Sequence, residues 1–178
     1  MSGYRLDRLW VLIVDDNQSM RSLVRTVLEA LGVRNIIEAR DGEHAIEKIT
    51  RQEVNLIITD WVMDEMDGLQ LTRWVRNEAG SPDPYVPIIM LTGHTDRAKV
   101  MEARDAGVTE FMAKPVSAKA LYSRMVAIIE NPRPFVKTDN YFGPDRRRKN
   151  MPYQGPDRRK QIEEDEDDGA PTRRAGAA

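Results

Sequence analysis

The stretch LIITDWVMDEMDGLQL, residues 56–71, begins with an apolar run that ends at a single aspartate, Asp60. Apolar residues follow one another there without alternation, which indicates a strand buried on both faces of a sheet. Similar short runs recur along the chain, and strands are predicted at 9–14, 36–39, 54–58, 86–91 and 108–112. Buried strands of this kind are typical of parallel sheets that helices cover on both sides.

Helical periodicity occupies the segments between the predicted strands. From Met20 to Leu31, apolar residues recur at a spacing of three and four, and the pattern stops at Gly32, a plausible C-terminal cap. Further helices are predicted at 43–51, 66–78, 96–106 and 117–130, the last with Ser117 as its N-cap. Five strands that alternate with five helices predict an α/β fold with right-handed crossovers.

Residues that can bind a metal ion or a phosphate follow four of the predicted strands. They are Asp15 and Asp16 after the first strand, Asp60 after the third, Thr92 after the fourth and Lys114 after the fifth. In an open parallel sheet the carboxyl ends of the strands lie at one edge, and ligands bind there. Any one of these aspartates could be a turn or cap residue, but the agreement of four strand ends favours a shared site.

The chemistry of that set indicates phosphoryl transfer. Three carboxylates close together repel one another unless a cation lies among them, and oxygen ligands with positions left for water and phosphate suit Mg²⁺. A lysine ammonium and a threonine hydroxyl can both bind phosphoryl oxygens. We therefore expect Mg²⁺ as the cofactor of phosphoryl transfer to a carboxylate.

From about residue 8 to residue 131, the sequence resembles the receiver domains of two-component response regulators. The stretches that carry the resemblance are VLIVDDN at 11–17, LIITDWVMDEMDGLQL at 56–71, PIIMLTGH at 87–94 and GVTEFMAKPV at 107–116. The resemblance implies a five-stranded parallel sheet in the order 2-1-3-4-5 with five helices, a flavodoxin-like doubly wound fold. It also identifies 8–131 as the receiver domain.

The resemblance implies a role for each residue at the strand ends. Asp60 would take a phosphoryl group from a phosphohistidine on a histidine kinase or a phosphotransfer protein. Asp16 and Asp60 would bind Mg²⁺ directly, together with the backbone carbonyl of Val62, while Asp15 would act largely through bound water. Lys114 would pair first with the resting carboxylate and later with a phosphoryl oxygen.

Phosphorylation would then switch a protein-docking face. By resemblance, Thr92 would swing toward the phosphoryl group and Phe111 would turn inward behind it. The docking face would comprise the fourth helix, the fifth strand and the fifth helix, and it would bind a downstream protein or a second copy of the chain. Phe111 stands where many relatives have tyrosine, and a place in the hydrophobic core explains it equally well.

Other sequence features limit the remaining classes of function. The chain contains no cysteine, which excludes disulfides and thiol chemistry. The apolar run at 9–14 is too short for a signal peptide or a membrane span, so we expect no membrane insertion and a cytoplasmic location. No glycine-rich loop follows the first strand, where the chain reads VDDNQSM, and a dinucleotide site is therefore excluded.

An aspartyl-type phosphatase is the alternative enzyme. Such enzymes normally need a second carboxylate two residues after the nucleophile, and this chain has Val62 there. We therefore expect no enzyme beyond a domain that catalyses its own phosphorylation and dephosphorylation. Two further departures from the family's pattern are Asp64, where proline is frequent, and His94, two residues after Thr92; the lifetime of the phosphoryl group stays undetermined.

The segment 132–178 is expected to be a disordered tail with a tandem repeat. The two copies are YFGPDRRR at 141–148 and YQGPDRRK at 153–160, offset by twelve residues. The residues singled out are one aromatic anchor and one basic cluster in each copy: Tyr141, Arg146, Arg147, Arg148, Tyr153, Arg158, Arg159 and Lys160. Gly-Pro-Asp blocks helix and favours a turn.

Several partners could bind these repeats. Basic clusters can bind nucleic-acid phosphates, an anionic nucleotide, an acidic protein face or the acidic edge of the chain's own site, and two copies could add avidity. We expect protein docking and no nucleic acid, because no helix-turn-helix fits this segment and the acidic run at 163–168 opposes phosphate binding. A solvated tail without a partner is the other interpretation.

Overall fold

A computed structural model of the chain describes residues 5–93, 97–138 and 140–146, with residues 97 and 98 described for their backbone alone. After a short 3₁₀ turn, five strands alternate with five α-helices, as predicted. Their bounds are β1 (Trp10–Val14), α1 (Gln18–Ala30), β2 (Asn35–Ala39), α2 (Gly42–Arg51), β3 (Leu56–Asp60), α3 (Gly68–Asn77), β4 (Ile88–Thr92), α4 (Arg97–Ala106), β5 (Glu110–Ala113) and α5 (Ala118–Glu130).

The five strands form one parallel sheet in the order β2-β1-β3-β4-β5, which confirms the predicted topology. The register fixes the level of each strand end. Val14 lies opposite Thr59, so that Asp15 follows its strand at the level of Asp60. Thr92 lies opposite Ala113, which places Lys114 one residue beyond it. Four strand ends therefore meet at one edge of the sheet.

Both faces of the sheet are buried. Every residue of β3 and β4 is buried, as the unbroken apolar runs predicted. On one face, Ile58 packs in a cluster that α1 and α5 cover; on the other, Ile57 packs in a cluster that α2 and α3 cover. Full burial of one such side chain contributes about 1.5–3 kcal/mol, and the strand ends at the site therefore rest on a rigid centre.

Side-chain caps set where the helices begin. Asn17, Asp41 and Ser117 each accept a hydrogen bond from the backbone N–H three residues later, and the predicted Ser117 cap is thus confirmed. Asp67 forms a reciprocal capping box with Gln70, which explains why α3 begins at Gly68 and not at residue 66 as predicted. Gly32 has a φ of 93° just after α1, a conformation that glycine favours.

The structure corrects the expected boundary at residue 131. Residues expected to be disordered form an antiparallel hairpin of β6 (Phe135–Thr138) and β7 (Tyr141–Pro144), and the described unit continues to Arg146. The physical reason is an aromatic cluster, since the rings of Phe135 and Phe142 pack on each other and on Tyr85. Strands of four residues carry too little periodicity to be visible in the sequence.

The rest of the predicted tail lies outside the described residues, including Arg147, Arg148, Tyr153, Arg158, Arg159 and Lys160. Within the described ranges, no helix combines the length and the apolar character that crossing a membrane requires.

Candidate functional site

The structure brings the predicted strand-end residues together through Lys114. Its Nζ lies 2.9 Å from Oδ2 of Asp60 and 3.2 Å from Oδ2 of Asp15. The residues Asp15 and Asp60 are only 1% and 8% exposed. A single ammonium group thus joins two buried carboxylates that follow different strands.

Backbone donors fix the other oxygen of each carboxylate. Oδ1 of Asp60 accepts a hydrogen bond from the backbone N–H of Trp61 at 2.8 Å, and Oδ1 of Asp15 accepts one from that of Asn17 at 2.9 Å. The rotation of both carboxylates is therefore restricted. Such positioning before any ligand arrives is how a protein site lowers the cost of reorganisation during a reaction.

Asp16 completes a cluster of three carboxylates. Asp15, Asp16 and Asp60 each offer an oxygen, and the three oxygens lie within 4.8 Å of one another. Asp16 is exposed, so that solvent and small ligands can reach the cluster. Oxygen donors with one solvent-exposed side fit Mg²⁺, which keeps several waters and binds through one or two carboxylates. The carbonyl of Val62 stays a predicted ligand.

Burial and the mutual contacts of the charged groups shift the pKa values of Asp60 and Lys114. Burial raises the pKa of Asp60, the contact with Lys114 opposes this rise, and the charge of Asp15 adds to it. Burial alone would lower the pKa of Lys114, but its contacts with Asp60 and Asp15 raise it overall. An isolated ion pair would lower the carboxylate pKa; here burial and the second carboxylate outweigh that effect. The site therefore favours an additional cation.

Thr92 and Phe111 lie on the neighbouring strands β4 and β5. Thr92 ends β4 and is 3% exposed. Phe111 lies on β5 opposite Met90 and packs, partly buried, against a cluster that includes Trp61 and Ala103. Packing therefore accounts for Phe111 in this conformation, and the proposed roles of both residues in switching stay predictions.

Arg21 is a contributor to the site that the sequence analysis missed. Its guanidinium donates a hydrogen bond to the backbone carbonyl of Asp15 at 2.8 Å and a longer one to that of Asp16 at 3.3 Å. It also pairs with Glu38 on β2 at 3.3 Å. Arg21 of α1 thus connects the loop after β1 with β2. The sequence signal was weak, because one arginine in the first turns of a helix is ordinarily a surface residue.

Gly68 allows α3 to begin directly against the end of β3. A Cβ at this position would lie 2.1 Å from the carbonyl oxygen of Asp60, a distance that real atoms do not reach. Its N–H donates to the carbonyl of Trp61 at 3.0 Å. Between them, Glu65 adopts a φ of 66°, which is unusual for a residue with a side chain. The loop after Asp60 is therefore tightly constrained.

Asp64 does not contact the three-carboxylate cluster in any described interaction. It lines an open acidic groove beside that cluster together with Asp16, Asp41 and Glu65, and His44 lies on the same groove. The groove widens the solvent-facing side of the site.

Comparison with known proteins identifies the family of this fold and site. The family model of the response regulator receiver domain matches residues 11–126. The chain belongs to the response regulator receiver family. Its receiver domain is 34% identical over 120 residues to the chemotaxis protein CheY1 of Helicobacter pylori, covering 67% of this chain and 95% of that protein. A CheY homolog of Campylobacter jejuni is 37% identical over the same length, with 67% and 91% covered.

Solved receiver structures agree with this assignment. The CheY4 structure of Vibrio cholerae superposes with a TM-score of 0.62 at 30% identity, covering 67% of this chain and 98% of that one. A receiver domain of a sensor histidine kinase from Pseudomonas aeruginosa, described with a magnesium ion coordinated in its active-site cleft, has a TM-score of 0.58 at 29% identity, with 67% and 94% covered. Two-component signalling is thus the setting of this receiver.

Proposed function

We propose that this receiver is a response regulator whose Asp60 accepts a phosphoryl group from a phosphohistidine on a histidine kinase or a phosphotransfer protein. The observation that carries the proposal is the position of Nζ of Lys114, in contact with both Asp60 and Asp15 beside a cluster of three carboxylates. In this setting a carboxylate is both held in place and next to a cation that can bind a phosphoryl oxygen.

The proposed reaction is one displacement at phosphorus. A carboxylate oxygen of Asp60 forms the new bond to phosphorus, the phosphorus–nitrogen bond of the phosphohistidine breaks, and its electron pair returns to the imidazole. Lys114 stabilises the negative charge that develops on one phosphoryl oxygen, while the hydroxyl of Thr92 at the end of β4 donates a hydrogen bond to a second phosphoryl oxygen. Mg²⁺, when bound by Asp15, Asp16 and Asp60, would supply charge neutralisation for the phosphoryl oxygens.

A phosphatase acting on separate substrates is not favoured. Two residues after Asp60, where such an enzyme needs a general acid, lies Val62, whose side chain is apolar and 61% exposed. We propose that the reaction is limited to this chain's own Asp60. Catalysis by the receiver then consists of accepting the phosphoryl group and losing it to water.

The output is proposed to be a protein contact. Met101 on α4 and Tyr122 on α5 are 44% and 39% exposed, so each of these helices presents a large hydrophobic side chain to solvent. Such groups are typical of contact surfaces between proteins. A downstream protein is the proposed partner, and a phosphorylation-dependent homodimer would use the same surface. A cytoplasmic location stays a prediction.

Phosphate incorporation tests the proposal directly. The full chain is incubated with Mg²⁺ and acetyl phosphate, and its intact mass is compared with that of Asp60→Asn. We expect the wild type to gain one phosphoryl group and the variant to gain none. Equal incorporation in the two proteins, or none in the wild type, would contradict the proposal.

A further inference from the structure

The hairpin β6–β7 is attached to the receiver by polar contacts at its base. Arg133 donates one hydrogen bond to the carbonyl of Thr109 at 3.1 Å, next to the start of β5, and another to the carbonyl of Asp145. The N–H of Asp145 donates to the carbonyl of Pro134 at 2.7 Å. The two ends of the hairpin are thereby closed on each other and on the receiver.

The first repeat supplies the hairpin with contacts of its own. The hydroxyl of Tyr141 donates to the carbonyl of Pro144 at 2.6 Å. The guanidinium of Arg146 lies 3.9 Å from the centre of the Tyr141 ring and 3.4 Å from the carboxylate of Asp105, at the end of α4. The tyrosine, the proline and the arginine of the motif are therefore joined by direct contacts, and the arginine also forms an ion pair with Asp105.

Gly107 and Gly143 let the hairpin approach the receiver backbone. A Cβ on Gly143 would lie 2.9 Å from Cα of Gly107, and a Cβ on Gly107 would lie 3.0 Å from the carbonyl oxygen of Phe142. Gly107 also has a φ of 99°. The glycine of the repeated motif is thus explained by close contact between two backbones.

Arg76 of α3 lies beneath the hairpin and beside Gly107; together with Asp105, these residues form the corner on which the hairpin packs. Arg76 is 3% exposed, and its guanidinium donates to the carbonyls of Gly107, Pro84 and Val86 at 3.0, 2.7 and 2.8 Å. The ring of Phe135 lies 5.1 Å from the guanidinium carbon. Burial lowers the pKa of Arg76 to about 10, so that it stays charged at neutral pH. The hairpin therefore covers a cation that holds α3 to the residue following α4.

A hydrophobic cluster links this corner to Asp60. The backbone N–H of Trp61 donates to Asp60, while its side chain packs in one cluster with Ala103 and Ala106 of α4. Ala106 lies between Asp105 and Gly107, which both contact the hairpin. A change at Asp60 that moves the side chain of Trp61 would therefore be transmitted through the packing of α4 to Asp105 and Gly107, where the hairpin contacts the receiver.

We propose that the corner formed by Arg76, Asp105 and Gly107 is an intramolecular docking site for the YFGPDR segment 141–146, and that docking stabilises the unphosphorylated receiver. The hairpin contacts are present in the same structure as the ion pairs of Lys114 with Asp60 and Asp15. The hairpin contacts hold α3, α4 and the start of β5 in one arrangement. By reciprocity, phosphorylation weakens docking as much as docking opposes phosphorylation. This inference rests on the proposed phosphorylation of Asp60.

Hydrogen exchange in the full chain tests the proposal. Exchange of the backbone amides of 135–146 is measured by mass spectrometry with Mg²⁺, before and after addition of acetyl phosphate, in wild type and in Asp60→Asn. We expect exchange in the phosphorylated wild type to accelerate about fivefold or more, the lower range of allosteric coupling. Asp60→Asn should show no acceleration.

A matched pair of variants tests the reverse direction. Arg146→Ala removes the contacts with Tyr141 and Asp105, and we expect about tenfold faster exchange of the hairpin without phosphodonor. It should also raise the fraction phosphorylated at limiting acetyl phosphate. Arg158→Ala removes the equivalent arginine of the second repeat and should change neither quantity; an equal effect of Arg158→Ala would overturn the assignment to the first repeat.

The intact mass of the same samples separates two kinds of failure. Phosphoryl incorporation with unchanged exchange of 135–146 would overturn this inference and leave the proposed function in place. Absence of incorporation in the wild type would overturn both.

Discussion

At the scale of single residues, the site combines two carboxylates and one ammonium in a way that costs stability. Asp60 and Asp15 are buried beside each other, and Lys114 contacts both. The raised pKa of Asp60 means that its charged form is less favourable in the folded chain than in the unfolded chain. The cause is mainly the burial of this carboxylate, to which the charge of Asp15 adds, and functional sites commonly carry such a cost in stability.

Replacement of Asp60 by asparagine should therefore stabilise the metal-free receiver at neutral pH. A carboxylate with a raised folded pKa destabilises the native state above that pKa, and this penalty vanishes once pH falls below the unfolded value near 3.8. We expect Asp60→Asn to raise the free energy of unfolding at pH 7 in EDTA, with the difference from wild type shrinking as pH approaches 4. Urea unfolding across this pH range measures it, and a difference that grows toward acid would contradict the prediction.

Gly68 offers a second prediction at this scale. A methyl group there collides with the carbonyl oxygen of Asp60, and we expect Gly68→Ala to lower the free energy of unfolding by about 1–3 kcal/mol and to reduce phosphoryl incorporation. Gly80→Ala is the matched control, because its Cβ would meet only Trp74 at an ordinary 3.7 Å. Equal stabilities of the two variants in urea unfolding would show that the collision is relieved cheaply.

At the scale of elements, the sequence predicted the strands and helices that follow from regular apolar patterns. It missed the features that depend on contacts between segments distant in the sequence. Five strands and five helices followed from apolar runs and periodicity, and the site followed from the strand ends. The hairpin did not, because its short strands are held by Tyr85 and Arg133. Arg21 and Arg76 were missed for the same reason: their partners include backbone carbonyls, which every residue carries and which therefore leave no signal in the sequence.

The start of α3 gives a prediction for one element. The carboxylate of Asp67 accepts a hydrogen bond from the N–H of Gln70, and the side chain of Gln70 accepts one from the N–H of Asp67. Asp67→Ala should lower the free energy of unfolding by about 1 kcal/mol, the usual value of a lost N-cap. Asp64→Ala, in the same loop but without a capping role, serves as control in the same urea experiment. A loss of equal size in both variants would point to loop charge and not to the cap.

At the scale of the whole molecule, the folded unit is larger than the receiver that the family model matches. The match ends at residue 126, whereas the described unit continues to Arg146. The hairpin covers Arg76 and packs its two phenylalanines on Tyr85. A chain cut at the end of the matched region would therefore leave these groups uncovered.

Truncation distinguishes the two boundaries. A chain ending at Asn131 loses the aromatic cluster and exposes the buried guanidinium, and we expect a clearly lower Tm than that of the full chain. A chain ending at Arg146 retains every hairpin contact described above and should keep the Tm of the full chain. Thermal unfolding followed by circular dichroism measures both, and identical Tm values for the two truncated chains would show that the hairpin adds no stability.

The guanidinium of Arg76 also gives the molecule an internal spectroscopic probe. Its Nε–H donates to the carbonyl of Gly107 beneath the hairpin and is removed from water. Most arginine Nε protons exchange with solvent too quickly to be observed by NMR at neutral pH, whereas this one should give a sharp, protected resonance. In a ¹⁵N-labelled chain, the intensity of this one signal would then report whether the corner beneath the hairpin is closed.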